Sequence, residues 1–221
     1  MRVMVIDTAL GLCTAGVFDV GSDVRPLGLR SEAMAKGHQE RLGGLARDAA
    51  AEAGGFEGIE RIGVTVGPGS FTGLRVGLAF ARGLGAALGR PLVGLSTLDA
   101  LAASVPDEAV AALIDARRGQ VYARFWRGGE PQGVAAALSL ESARAQLEGF
   151  RGTLVGSGAP LVADAAPQAA IVDAPGPAPD ALARLAALVE PAIAPPSPLY
   201  LRAPDATPPS RLPGQTRPTR S

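Results

Sequence analysis

The chain has 221 residues, 21 basic against 21 acidic, and is 47% hydrophobic but only 4% aromatic. That length buries a core in one large domain or two small ones, and zero net charge leaves no global basic field to gather nucleic acid or an anionic membrane. Cys13 and His38 are the only residues of their types, so a disulfide framework within the chain is excluded, as suits a reducing cytosol. The apolar start MRVMVID is broken by Asp7, too early for a signal peptide. No apolar run approaches the roughly 20 residues that span a bilayer. The expected location is the cytoplasm.

In chain order, RVMVID (2–7) reads as a buried strand, CTAGVFDV (13–20) as its return, and 23–34 as a third strand, with Pro26 pushing it toward an edge. From Lys36 to Ala53 the period changes to helical, with Leu42, Leu45, Ala46, Ala49 and Ala53 on one face and Gly54-Gly55 as the stop. Strand RIGVTV (61–66) runs into the loop GPG (67–69) and a helix over 72–88. Strand PLVGLS (91–96) and a short helix over 97–103 follow. A second cycle begins at AVAALIDARRGQVYARFW (109–126), where a strand ends in Ile114-Asp115 before a turn and return, as the first ends in Ile6-Asp7. This weak internal repeat recurs about one hundred residues on. Later come a helix near 141–147, a strand at 153–156, the loop GSGAP and a helix near 180–189. From Pro191 the chain turns proline-rich, and its last ~15 residues carry the composition of a solvated tail.

The loop at 67–73 invites a phosphate, since free N–H groups and the positive end of a helix dipole converge at such a turn. Yet no Walker lysine follows. The glycine pattern follows the fourth strand rather than the first, and no acid for a ribose ends the next strand, which speaks against a dinucleotide fold. The helix behind it has an unusual face. Gly73, Gly77, Ala81 and Gly85 stand four apart as a ridge of minimal side chains, flanked by Leu74 and Leu78. Each interior glycine costs roughly 0.8–1 kcal/mol against alanine, so a close backbone neighbour is expected, either within the domain or from a partner protein. His38, bordering the apolar face of its helix, is a poor lone metal candidate and reads as structural or interfacial. Cys13 reads as core. Asp7 and Asp115 end matching strands. Such acids hold Mg²⁺ through water in duplicated nucleotide clamps, though by residue type they are more often turn residues.

Taken together, VIDTALGLCTAGVFD, GHQERL, GVTVGPGSFTGLRVGLAFARGLG, GLSTLDALA and IDARRGQVYARF closely resemble the TsaB (YeaZ) family of bacterial tRNA threonylcarbamoyladenosine biosynthesis proteins. The match weakens over 127–190 and returns at PLYLRAPDA (198–206). The resemblance implies an α/β duplicated fold of the actin/Hsp70/hexokinase-like (ASKHA) superfamily. Its lobes would cover 1–104 and 105–200, with a Pro/Arg-rich tail at 201–221. It also implies a non-catalytic subunit that binds a TsaD-type catalytic paralog, with a TsaE-type ATPase as further partner and tRNA engaged through the complex. The complex uses ATP, while this chain would need no cofactor and bind nucleotide weakly at most. The paralog's H-x-x-x-H metal pair falls at Thr97 and Leu101, leaving neither a metal site nor a catalytic residue. In the family, the helices after GHxERL and GPGSFTG pair with those of the paralog, and the same faces can make a homodimer. Carried over, the interface would use Leu42, Leu45, Ala46, Ala49, Gly73, Leu74, Gly77, Leu78, Ala81 and Gly85. Asp7, Gly67, Gly69 and Asp115 would form a vestigial nucleotide or phosphate site. The departures are Gly43-Gly44, which interrupts the first helix, and the tail past 206.

Overall fold

The computed structural model describes residues 1–191, 194 and 196–202. The proline-rich tail beyond 202 lies outside the described residues. Strands β1 (Arg2–Asp7), β2 (Leu12–Val20) and β3 (Val24–Ala33) form a meander. Helix α1 (His38–Glu52) then returns the chain to β4 (Arg61–Gly67), and α2 (Phe71–Leu88) leads to β5 (Leu92–Ser96). After α3 (Thr97–Ala102) the same order recurs: β6 (Val110–Arg117), β7 (Gln120–Arg127), β8 (Glu130–Ser139), α4 (Leu140–Leu147), β9 (Thr153–Val155), β10 (Ala170–Val172) and α5 (Pro179–Leu188). Two 3-10 turns between β9 and β10 stand where α2 stands in the first half.

The two five-stranded sheets have one topology. Their orders are β3-β2-β1-β4-β5 and β8-β7-β6-β9-β10. In each, the first strand pairs antiparallel with the second and parallel with the fourth. The Ile-Asp repeat is therefore a repeat of structure, with Asp7 and Asp115 near the ends of the two central strands. Each sheet's final helix crosses to the other sheet. Leu98 and Leu101 of α3 pack on Val110, Ala112, Ile114 and Val155 of the second sheet. Leu182, Ala183 and Ala186 of α5 pack on Val3, Val5, Val93 and Leu95 of the first. The sheets divide between 102 and 110, but α5 does not stay with the second unit, because its apolar stripe fits the uncovered face of the first. Arg61 in β4 fastens it there, its Nη1 donating to the carbonyls of Ala186, Ala187 and Val189, each at 2.9 Å. A cation so placed meets the negative end of the helix dipole and its free carbonyls.

Strands β8 and β10 have no counterpart in the sequence reading. The segment EPQGVAAALS has Pro and Gly and few β-branched residues, and it becomes a strand only because β7 offers a full edge to pair with. Strand β10 has three residues, all exposed. Among the described residues no helix is long and apolar enough to cross a membrane.

Candidate functional site: an interlobe cleft and the outer face of two helices

Loops at the ends of the central strands enclose a cleft of about 430 Å³ between the lobes, lined by Gly69, Ser70, Asp115, Arg117, Ser157 and Pro175, among others. The loop GPG is matched across the pseudo-symmetry by GSG (156–158). Gly67 ends β4 with φ +115° and Gly156 follows β9 with φ +107°. Two strands must leave their sheets through the same sharp left-handed turn, which glycine adopts without a Cβ clash. Each GxG triplet follows the fourth strand of its sheet, but the triplets stand at unequal distances from the two Ile-Asp pairs, so spacing alone does not match them.

Of the four residues expected to form a nucleotide site, the structure brings Gly69 and Asp115 to the cleft and leaves Gly67 and Asp7 out of it. Gly67 is covered by the C-terminal segment, where Leu199 N–H donates to the Val66 carbonyl at 2.7 Å. Asp7 is fully buried. Its Oδ1 accepts from Ala9 N–H at 3.0 Å and from the Thr65 hydroxyl at 2.7 Å, while Oδ2 has no partner among the described residues. Above it runs Gly176, where a Cβ would stand 3.4 Å from Oδ2. Burial pushes the Asp7 carboxyl above its ordinary range, outweighing the two hydrogen bonds and the nearby His38, which pull it down. Asp115 is tied differently, its carboxylate accepting from Arg117 N–H at 2.7 Å and pairing with the Arg117 guanidinium at 3.0 Å. The two acids thus share no cavity in this arrangement.

The metal-pair positions are inside the protein. Thr97 and Leu101 are fully buried, Leu101 in the α3 contact with the second sheet. Among the described residues no group of three His, Cys, Asp or Glu side chains is arranged to hold a metal ion. Cys13 is buried and free, its thiol pushed up to about 11 first by burial and then by the nearby carboxylates of Asp7 and Glu32.

The expected interface residues require a correction. Leu42, Leu45, Ala46, Ala49, Gly73, Leu74, Gly77, Leu78, Ala81 and Gly85 are all buried within this chain. The first half of the ridge meets the β1–β2 turn of this chain: the Thr8 hydroxyl donates to the Gly73 carbonyl at 2.7 Å. A Cβ at Gly77 would lie 2.5 Å from Thr8 Oγ1. Close approach explains Gly73 and Gly77, and there the neighbour is the chain's own strand end, whereas a Cβ at Gly85 would make only ordinary contacts with Arg90, Ile62 and Leu92. What α1 and α2 leave outward is their opposite face. Gly43, Ala79 and Gly83 are exposed there, Val76 and Phe80 half-buried, above a groove of about 540 Å³. Phe71 is 54% exposed and lies under Arg75, whose guanidinium carbon is 3.8 Å from the ring centroid, and beside Tyr200 at 5.5 Å. Gly44 and Gly83 have open space where a Cβ would stand, so nothing among the described residues requires them to be glycine.

The signature at 198–202 also finds its place. It runs from Val66 past Phe71 to the second lobe, where Arg202 donates to the Ala116 carbonyl at 3.0 Å and to Gln120 Oε1 at 2.5 Å. It clasps the two lobes together.

The duplicated sheets, the exchanged helices and the cleft between matching strand ends define a protein of the actin/Hsp70/hexokinase-like architecture. Residues 24–139 match the family model described as TsaD, tRNA N6-adenosine threonylcarbamoyltransferase. Among curated relatives, the Escherichia coli tRNA threonylcarbamoyladenosine biosynthesis protein TsaB is 30% identical over 162 residues, covering 67% of this chain and 68% of that protein. An uncharacterized Mycobacterium leprae protein, ML0378, is 42% identical over 131 residues, 58% of this chain but 36% of its own length. Matched segments thus span between about a third and two-thirds of these two relatives. The solved structure of YeaZ from Pseudomonas aeruginosa superposes with a TM-score of 0.75 at 28% identity, covering 90% of this chain and 99% of that one. The chain belongs to the TsaB (YeaZ) family.

Proposed function

We propose that this chain is a cytoplasmic, non-catalytic subunit of the machinery that transfers threonylcarbamoyl to N6 of adenosine 37 in tRNAs reading ANN codons. It acts by holding a TsaD-type catalytic paralog, with a TsaE-type ATPase as further partner and tRNA bound through the complex. The observation that carries the reading is the outer face of α1 and α2. Gly43, Gly44, Ala79 and Gly83 leave stretches of two parallel helices without large side chains, and the half-buried Val76 and Phe80 supply apolar area beside them. A second pair of helices can approach such a face closely and bury a core like that of a four-helix bundle. The same face can serve a homodimer. The occupation of the metal positions by buried Thr97 and Leu101 agrees with a partner that lacks its own transferase centre.

The rival reading, a stand-alone ATPase or phosphotransferase clamping Mg-nucleotide between Asp7 and Asp115, is disfavoured by the covered Asp7 and the Arg117-paired Asp115. Mixing the chain with the paralog and sizing the product by light scattering tests the interface. A one-to-one heterodimer is expected, lost in Ala79→Arg with the melting temperature unchanged. Unimpaired assembly by that variant would exclude this face.

A further inference from the structure

Residues 196–202 touch the flank of α2, the end of β4 and the wall of the interlobe cleft in turn. On α2, Arg82 Nη2 donates to the Pro196 carbonyl at 2.6 Å, and Tyr200 lies beside Phe71 with its hydroxyl 3.5 Å from Arg75 Nε. At 100° per residue, positions 71, 75 and 82 share one flank of the helix. That flank borders the groove lined by Phe71, Arg75, Val76 and Phe80. At β4, Leu199 N–H donates to the Val66 carbonyl at 2.7 Å, and the Leu199 carbonyl lies 2.7 Å from where a Gly67 Cβ would stand. Leu199 packs on the first lobe's core and Leu201 on the second's. Arg202 then donates to the Ala116 carbonyl and to Gln120 Oε1, with the Tyr122 ring 6.0 Å away. Ala116 and Tyr122 belong to the cleft wall.

Three residues separate the Leu199 anchor from Arg202, a span of at most about 11 Å of extended backbone. While both anchors are made, the end of β4 and the β6–β7 hairpin cannot part beyond that span and the reach of one arginine side chain. Widening the cleft at this hairpin therefore requires one anchor to let go. Tyr200 sits between them, 47% exposed, against Phe71 at 54%. An occupant of the α1–α2 groove covers both rings only while Tyr200 is seated there. Its affinity thus differs between the seated and the released strap, which is the condition for a ligand to shift such an equilibrium.

We infer that residues 196–202 are a latch coupling the outer face of α1 and α2 to the interlobe cleft. Seated, the latch holds the lobes together and completes the partner face with Tyr200. Released at Arg202, it lets the cleft widen and withdraws Tyr200. A partner docked on α1 and α2 therefore tightens the lobes, and loosening the lobes weakens the partner by the same factor. The coupling rests on the docking reading above; the latch itself does not.

Two variants of the full-length chain act at the far anchor alone, Arg202→Met and Gln120→Met, one from each side of the same contact. In the free chain, hydrogen exchange at the Leu199 amide should quicken about tenfold in each. With the paralog added, that amide should slow in the wild type, and both variants should bind the paralog about fivefold more weakly. Wild-type exchange at Leu199 in both variants would overturn the latch. Faster exchange with undiminished affinity for the paralog would overturn the coupling and leave the docking reading standing. Normal assembly by Ala79→Arg would instead remove the docking reading and the coupling with it, while exchange in the free chain still decides the latch.

Discussion

The small-residue ridge of α2 allows a substitution pair whose two members should move stability in opposite directions. Gly77 and Gly83 lie in the same helix, six residues apart. At Gly77 a new Cβ would stand 2.5 Å from Thr8 Oγ1 and 3.6 Å from Val64 Cγ2. Alanine there recovers about 1 kcal/mol of helix propensity. Against that stands an overpacking cost of about 1–3 kcal/mol. Displacing Thr8 also breaks its buried 2.7 Å hydrogen bond to the Gly73 carbonyl, for about another 1 kcal/mol. The net expectation for Gly77→Ala is a loss of about 1–3 kcal/mol, and more for leucine. At Gly83, exposed and with open space around its Cα, only the propensity gain remains, about 1 kcal/mol of stabilisation. For a chain of this size each kcal/mol moves Tm by about 2–4 °C. Urea melts and thermal scans of both variants read the difference. Equal effects, or a wild-type Gly77→Ala, would refute the packing of α2 on Thr8 and restore the ridge as a surface.

Other consequences follow from single buried groups. A carboxyl raised above its unfolded value stabilises the fold fully below that value, near 3.8 for Asp7, and this contribution is lost as pH rises through the folded value. Asp7→Asn keeps an acceptor for Ala9 N–H and Thr65, so it should raise Tm at pH 7 and flatten the stability slope above pH 4; a lower Tm at pH 7 would mean that the charge is compensated. The Cys13 thiol, buried and raised to about 11, should resist Ellman's reagent in the native protein and react only on unfolding, whereas rapid native labelling would contradict its burial. Arg61→Met removes three donations to the end of α5 and should cost about 2–3 kcal/mol, with faster hydrogen exchange concentrated in α5. Unchanged exchange there would show that the apolar stripe alone holds the helix.

Periodicity placed α1 and α2, and the Ile-Asp pairs disclosed the duplication, because strand ends and helix faces are local properties. What a face packs against is not local. Spacing of four marked Gly73, Gly77, Ala81 and Gly85 as a site of close approach, but the neighbour of Gly73 and Gly77, Thr8, is distant in sequence and its carbonyl and hydroxyl leave no sequence signature. The same blindness hid the exchange of α3 and α5, since an apolar stripe such as Leu182, Ala183 and Ala186 fits either sheet. Gly43-Gly44, read as a flaw in a helix, instead contributes to a bare outer face. Strand β8 was illegible because its order comes from pairing with β7 rather than from its own residues.

The central claim is that this chain is needed for a transfer it does not perform. A reconstituted reaction with tRNA, threonine, bicarbonate, ATP, the adenylate-forming enzyme, the catalytic paralog and the ATPase tests it directly, with this chain present, omitted, or standing in for the paralog. The account predicts modified tRNA only when both chain and paralog are present. Modification by the chain without the paralog would contradict it and return attention to Asp115 and the interlobe cleft.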